Sequence, residues 1–219
     1  MPDKTWPDES GNYKSMRVIS GTAKGRKLYA PKSHNIRPAL DKVKEAIFNI
    51  LFDVQGVNVL DLFAGTGAVG IEALSRGAAH CTFVDMSHEA ITIIKKNIEL
   101  CGFTNAKIFP HPVSVAIEYF GKHNEKFDLI FVDPPYLKNL VNPTLEKIAG
   151  SGILAPDGRI IVEHHPKETI SSPIHPTYAP FDSPSLAQGM LKHSSTYTLI
   201  ALTDTRKYGQ TLISFLMNM

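Results

Sequence analysis

Residues Asp133-Pro134-Pro135-Tyr136 place an acid, two imino acids and an aromatic ring in succession, directly behind the apolar run Phe127-Asp128-Leu129-Ile130-Phe131-Val132. Such a run reads as a buried strand. The tetrapeptide is therefore expected at the carboxyl end of a strand, where open α/β sheets present their ligands. Consecutive prolines fix the backbone and remove two amide donors, while their carbonyls remain as acceptors. A carboxylate, rigid carbonyls and a ring face converging on one point suit a planar amine, which has two N–H groups to donate and a flat surface to stack. A Pro-Pro turn closed by a packing tyrosine would read the same way, and a second motif upstream weighs against that plainer account.

The second motif is Val59-Leu60-Asp61-Leu62-Phe63-Ala64-Gly65-Thr66-Gly67-Ala68-Val69-Gly70. A short apolar strand meets an acidic residue, a glycine-rich turn and then a helical pattern. Gly65 and Gly67 let backbone approach a ligand at a helix N-terminus. Gly65, Gly67 and Gly70 formally satisfy the dinucleotide fingerprint, but Asp61 is expected at the strand end, where it would repel a pyrophosphate and attract an ammonium group. S-adenosylmethionine carries an amino group and a sulfonium and no phosphate, so it is the cofactor expected. Ala64 would line its pocket beside the glycines, and Phe63 would either line that pocket or pack beneath it. Asp85, ending the next strand Cys81-Thr82-Phe83-Val84, is placed to accept from ribose hydroxyls, with Met86 beside it.

Asp61 to Gly67, Asp85 and Asp133 to Tyr136, in that order, resemble the class I methyltransferases that modify exocyclic amines of nucleic-acid bases. Arg17-Val18-Ile19-Ser20-Gly21, Lys24 to Leu28, Arg37-Pro38, Lys44 to Leu51, Gly70 to Ala78 and Lys207-Tyr208-Gly209-Gln210-Thr211 together resemble the RsmD family, from Met16 almost to the end. The resemblance implies methylation of guanine N2 in 16S rRNA of the small ribosomal subunit or its assembly intermediate, by a monomer. It makes Asp133, Pro134, Pro135 and Tyr136 the catalytic group. Two positions depart from the family pattern. Ala39 stands where a Thr is usual after Arg-Pro, with Asp41 as the substitute helix cap. Ser114 stands where an Asp or Asn usually meets the adenine amino group, and a helix N-cap is its competing role.

These residues need a scaffold, and 219 residues at 43% hydrophobic suffice for one α/β domain with a small appendage. Strands near 57–61, 80–85, 106–110, 127–132 and 158–163 alternate with helices near 67–76, 87–101, 113–121 and 139–150. That pattern predicts a doubly wound, mostly parallel seven-stranded sheet, Rossmann-like in the class I methyltransferase manner. Pro38 precedes a further helix with Val43, Ile47, Ile50 and Leu51 at helical spacing. Tyr197 to Leu202 and Thr211 to Met217 form a terminal hairpin. The expected organisation is a disordered polar extension over 1–15, a basic β-hairpin segment over 16–38 turning at Ala23-Lys24-Gly25, a catalytic domain over 39–219, and an irregular Pro-, Ser- and His-rich excursion over 165–192 within it. Met16 stands where chains of the resembled family usually begin, which marks the extension as dispensable.

The net charge of +2 conceals an asymmetry: Lys14 to Lys44 holds nine basic residues and one acid, Asp41. A concentrated basic segment on a mildly acidic body is an electrostatic footprint for nucleic acid. Arg17, Lys24, Arg26, Lys27 and Arg37 are the expected RNA contacts, positioning phosphates without reading sequence. No apolar run is long enough to span a bilayer, no signal peptide is visible, and Cys81 and Cys101 lack metal-ligand spacing. A cytoplasmic protein without a metal is expected. Three other classes stay open: an adenine-N6 methyltransferase, which shares both motifs; a NAD-dependent oxidoreductase, which explains the glycines but not Asp61; and a non-catalytic ribosome-assembly factor that binds RNA.

Overall fold

The computed structural model describes residues 16–30, 40–51, 53–175 and 199–219. The helices are α1 (Leu40–Leu51), α2 (Ala68–Ser75), α3 (His88–Cys101), α4 (Val113–Lys122) and α5 (Val141–Ser151). The strands are β1 (Asn58–Leu62), β2 (His80–Val84), β3 (Ala106–Phe109), β4 (Phe127–Val132), β5 (Leu154–His164), β6 (Ile200–Tyr208) and β7 (Thr211–Asn218). They form one seven-stranded sheet in the order β3-β2-β1-β4-β5-β7-β6. The first five strands run parallel, and β7 is antiparallel to both β5 and β6. The chain starts at the centre with β1, steps outward to β3, then returns to lay β4 on the other side of β1. The crevice above β1 and β4 is the topological switch point at which such sheets bind ligands.

Apolar side chains cover both faces of the sheet, as a parallel sheet requires. Val59, Phe83, Phe131 and Ile161 pack under α1, α2 and α3 on one face. Leu60, Leu62, Ile130, Val132 and Ile160 pack under α4 and α5 on the other. Strand alternation therefore puts Asp61 on the face of Val59, beneath α2. Two helices stop where the backbone turns left-handed at glycine, at Gly102 after α3 and Gly152 after α5.

Three expected elements differ in extent. β5 begins at Leu154, ahead of the Pro156-Asp157-Gly158 stretch that reads as a turn. Its pairing jumps from Phe127↔Leu154 to Leu129↔Arg159, so residues 155–158 leave the ladder as a bulge. Asn218 holds the bulge by donating to the Ala155 and Pro156 carbonyls at 2.7 and 3.0 Å. β6 runs on to Tyr208 through the polar stretch Thr203 to Lys207, because an edge strand needs only one neighbour and β7 supplies it. The hairpin expected in the basic segment has one antiparallel bridge, Arg17↔Lys27, and no longer ladder. Val18 and Leu28 N–H donate across it, to the Arg26 and Met16 carbonyls at 3.0 and 2.8 Å, while other donors turn outward: Ile19 and Ser20 N–H go to the Glu72 carboxylate at 2.8 and 3.0 Å, and Thr22 N–H goes to the Ser75 carbonyl at 2.8 Å.

The expected extension over 1–15, Arg37, Pro38, Ala39 and the later part of the excursion lie outside the described residues. Asp41 lies in the first turn of α1, where it pairs with Arg17 at 3.7 Å and Lys44 at 3.9 Å. Among the described residues, no helix is long and apolar enough to cross a membrane.

Candidate active site

Strand register brings the two motifs together. Leu62 pairs with Val84 on one side and Val132 on the other. The next residues, Phe63, Asp85 and Asp133, therefore leave the sheet side by side at the carboxyl ends of adjacent strands. The three segments are tied by backbone bonds: Ala64 N–H donates to the Val84 carbonyl at 3.0 Å, and Asp133 N–H to the Leu62 carbonyl at 3.4 Å.

Within β1, Asp61 sits one residue short of the strand end, a correction to the expectation that it ends the strand. It is 4% exposed, and its Oδ2 accepts from Gly70 N–H at 3.0 Å. Burial, followed by the like charge of Asp85, pushes its carboxyl up to about 7, against the Gly70 bond that lowers it. Phe63 adopts φ +60°, an uncommon conformation for a bulky residue. Gly65 is also left-handed, at φ +57°, and a Cβ built on it would meet nothing nearer than the Phe63 carbonyl at 3.9 Å, so the turn lies open above. Gly67 caps α2, and Gly70 packs that helix down: a Cβ on Gly70 would fall 2.4 Å from the Phe83 ring and 2.6 Å from Cys81 Sγ.

The carboxylate of Asp85 organises the turn, with Oδ2 accepting from Gly65 N–H and Oδ1 from Ser87 N–H, each at 2.8 Å. Each oxygen retains a further lone pair for a hydroxyl donor. Met86, the next residue, is 75% exposed. Ser114 is an exposed residue one position inside α4, not its N-cap; Pro112 holds the N-cap place, without a side-chain cap bond.

At the end of β4, Asp133 and Pro135 are exposed, Pro134 is buried and Tyr136 is half-buried. The Tyr136 hydroxyl reaches Glu163 Oε1 at 3.0 Å and Thr211 Oγ1 at 2.8 Å, and the His165 ring stands edge-on to it at 5.7 Å. Glu168, 9% exposed, accepts from Leu137 N–H at 3.0 Å and from His165 N–H at 3.2 Å, fixing the left-handed turn at Leu137. Glu163 and His165 thus belong to the polar cluster that shapes the loop after β4. Burial also lowers the His164 imidazole pKa, and its ring bonds the Glu168 carbonyl at 2.8 Å and Ser214 Oγ at 2.9 Å.

The basic segment lies against the glycine turn. Buried Asn97 of α3 accepts from Tyr29 N–H and donates to the Tyr29 and Thr66 carbonyls, at 2.7, 3.0 and 2.9 Å. A polar residue among Ile93, Ile94 and Ile98 was the available signal for this clamp. Lys24, Arg26 and Lys27 are exposed, with Arg26 donating to the Leu100 carbonyl at 2.7 Å; Arg17 is exposed beside Asp41. Lys44, counted in the basic footprint, is 1% exposed and faces the interior: it donates to the Arg17 carbonyl at 2.6 Å and pairs with buried Glu72 at 3.4 Å. Burial lowers its pKa, and the charge of Glu72 opposes that shift. Arg76 completes the cluster, 2.8 Å from Glu72 and stacked over Phe48 at 4.7 Å.

Against known proteins, the family described as conserved hypothetical protein 95 matches residues 16–178. Ribosomal RNA small subunit methyltransferase D of Escherichia coli is 36% identical over 72% of this chain and 78% of its own. The chain belongs to the RsmD family of methyltransferases. Another relative, YlbH of Bacillus subtilis, which carries the provisional name of an rRNA methyltransferase, is 44% identical over 68% of this chain and 82% of its own. The solved E. coli structure provisionally named methyltransferase yhhF superposes with a TM-score of 0.73 at 27% identity, covering 94% of this chain and 98% of that one. The fold is shared more widely: SMU.776, solved in complex with SAH, gives a TM-score of 0.59 at 19% identity over 84% of this chain and 50% of that one. Asp61 to Gly67, Asp85 and Asp133 to Tyr136 thus come together at the carboxyl ends of β1, β2 and β4, while Arg17 to Gly21, Lys44 and Glu72 to Arg76 form the joint that docks the basic segment onto α2.

Proposed function

We propose that this protein transfers a methyl group from S-adenosylmethionine to the exocyclic N2 amine of a guanine in small-subunit ribosomal RNA. The observation that carries the reading is the rung shared by Leu62, Val84 and Val132, which sets Asp133 and its Pro-Pro-Tyr beside the glycine turn and Asp85. Names of the curated relatives support the substrate class.

The crevice fits the cofactor by its own chemistry. Buried Asp61, with its carboxyl raised to about 7, suits a site that receives an ammonium group. The open left-handed turn at Gly65 suits close backbone approach, and Asp85 retains acceptor capacity for ribose hydroxyls. When bound, S-adenosylmethionine supplies a methyl group already activated by its sulfonium. The protein must then hold a weak nucleophile in line at close range. Asp133 and the Pro134 carbonyl accept from the two N–H groups of the amine, favouring a pyramidal nitrogen whose lone pair points outward. Tyr136 presents a face for the base to stack upon once it leaves its helix or loop. Attack yields a cationic amine that loses its proton readily, so Asp133 binds and orients first and needs no strong basicity. Lys24, Arg26, Lys27 and Arg17, with Arg37, contact phosphates.

The test is methyl transfer to small ribosomal subunits from cells lacking this enzyme, with the RNA digested to nucleosides and resolved by mass spectrometry. N2-methylguanosine is expected. N6-methyladenosine would keep the mechanism and overturn the base assignment. No product, with cofactor bound, would favour an assembly factor.

A further inference from the structure

The motif Lys207-Tyr208-Gly209-Gln210-Thr211 has no task in the chemistry above. The fold gives one to its last residue. Thr211 opens β7, is 5% exposed, and stands two residues along from Ile213, the register partner of Glu163. Strand alternation places Thr211, Ile213 and Glu163 on one face of the sheet, and the Tyr136 hydroxyl reaches both polar groups, at 2.8 and 3.0 Å. An ionised carboxylate only accepts. The Tyr136 O–H therefore donates to Glu163, and the Thr211 O–H donates to the Tyr136 oxygen. One anchor comes from the parallel part of the sheet and the other from the antiparallel hairpin, so the phenol is held from two strands at its far end. The His165 ring edge limits its tilt.

We infer that Glu163 and Thr211 are positioning residues, a two-point latch on the Tyr136 hydroxyl that sets the angle of the ring face offered to the base. This rests on the reading of Tyr136 as the stacking platform. A free phenyl ring samples several orientations, and a small misplacement at a reacting centre costs rate out of proportion to its size. The latch acts on turnover and leaves the cofactor crevice untouched.

The test compares Tyr136→Phe, Thr211→Val, Thr211→Ser and the double variant Tyr136→Phe/Thr211→Val in methyl transfer to small subunits. Tyr136→Phe and Thr211→Val should each lower kcat about tenfold, the scale of one lost hydrogen bond in a charge-terminated chain, with KM for S-adenosylmethionine unchanged. The double variant should fall no further than the worse single one, and Thr211→Ser, which restores the hydroxyl, should recover wild-type turnover. Wild-type kcat in Thr211→Val, or losses that multiply in the double variant, would overturn the latch. Should the wild-type protein methylate no ribosomal particle, the functional reading fails by itself. The latch is then judged by thermal unfolding, where non-additive losses in Tm for the two single variants support it and additive losses overturn it.

Discussion

Replacing Asp61 by Asn tests whether the crevice is built for a cation. Folding raises the Asp61 carboxyl from 3.8 to about 7. The folded chain thus holds this proton more tightly than the unfolded chain. The stability contributed by the group is fully present below about pH 4, is lost progressively as pH rises toward 7, and is absent above it. A shift of that size corresponds to roughly 4 kcal/mol across the window. Asparagine cannot ionise, yet its Oδ1 can still accept from Gly70 N–H, so the variant removes the charge and keeps the bond. Urea denaturation of both proteins without cofactor, from pH 4.5 to 8.5, should show Asp61→Asn gaining on the wild type by several kcal/mol as pH rises. The cofactor arm runs the opposite way. Wild-type affinity for S-adenosylmethionine should increase toward pH 8, because the ammonium compensates the ionised acid, while the variant binds weakly at every pH. A stability difference that stays constant with pH, or equal affinities at pH 8, would refute the reasoning.

Asp133→Ala should lower kcat at least a hundredfold, the lower end of what positioned polar groups contribute, while calorimetry finds cofactor binding unchanged; equal loss of both would remove Asp133 from the amine site. Gly70→Ala forces a methyl within 2.4 Å of the Phe83 ring and should destabilise the fold by about 1–3 kcal/mol through overpacking, read as a lower urea midpoint. Glu72→Gln leaves Lys44 buried beside a neutral amide and should cost about 3–5 kcal/mol. Because Ile19 and Ser20 are held by the same carboxylate, proteolysis within the basic segment should accelerate in that variant more than cleavage elsewhere.

Periodicity made the central architecture legible. The apolar runs at 57–61, 80–85 and 127–132 were unambiguous because parallel strands are buried on both faces and read as unbroken hydrophobic stretches. Residues 155–158 misled, since proline and glycine in a bulge look the same as in a turn and only the partner strand shows the difference. The two motifs that line the crevice were visible for a simple reason: their residue types are odd for their places, an acid near the end of an apolar strand and two prolines after another. Lys44 was opaque. Its charge counts equally in any composition, and only the docking of α1 against α2 reveals that Glu72 has taken it inside. Thr211 could be quoted as part of a motif but not understood, because its partner lies 75 positions earlier in the chain.

The strand that carries Thr211 follows β6 in the chain, yet it lies inside the sheet, between β5 and β6. A chain lengthening from its amino terminus can complete β1 to β5 and dock its helices, but a slot beside β5 stays open until β7 is free to enter it. During that interval β5 is an unpaired edge, the feature most prone to joining a neighbouring chain. The same event closes the edge and seats the Tyr136 ring through Thr211. Seating of that ring is therefore coupled to entry of β7, and a variant lacking Thr211–Asn218 would keep both sequence signatures of the crevice while missing an interior strand.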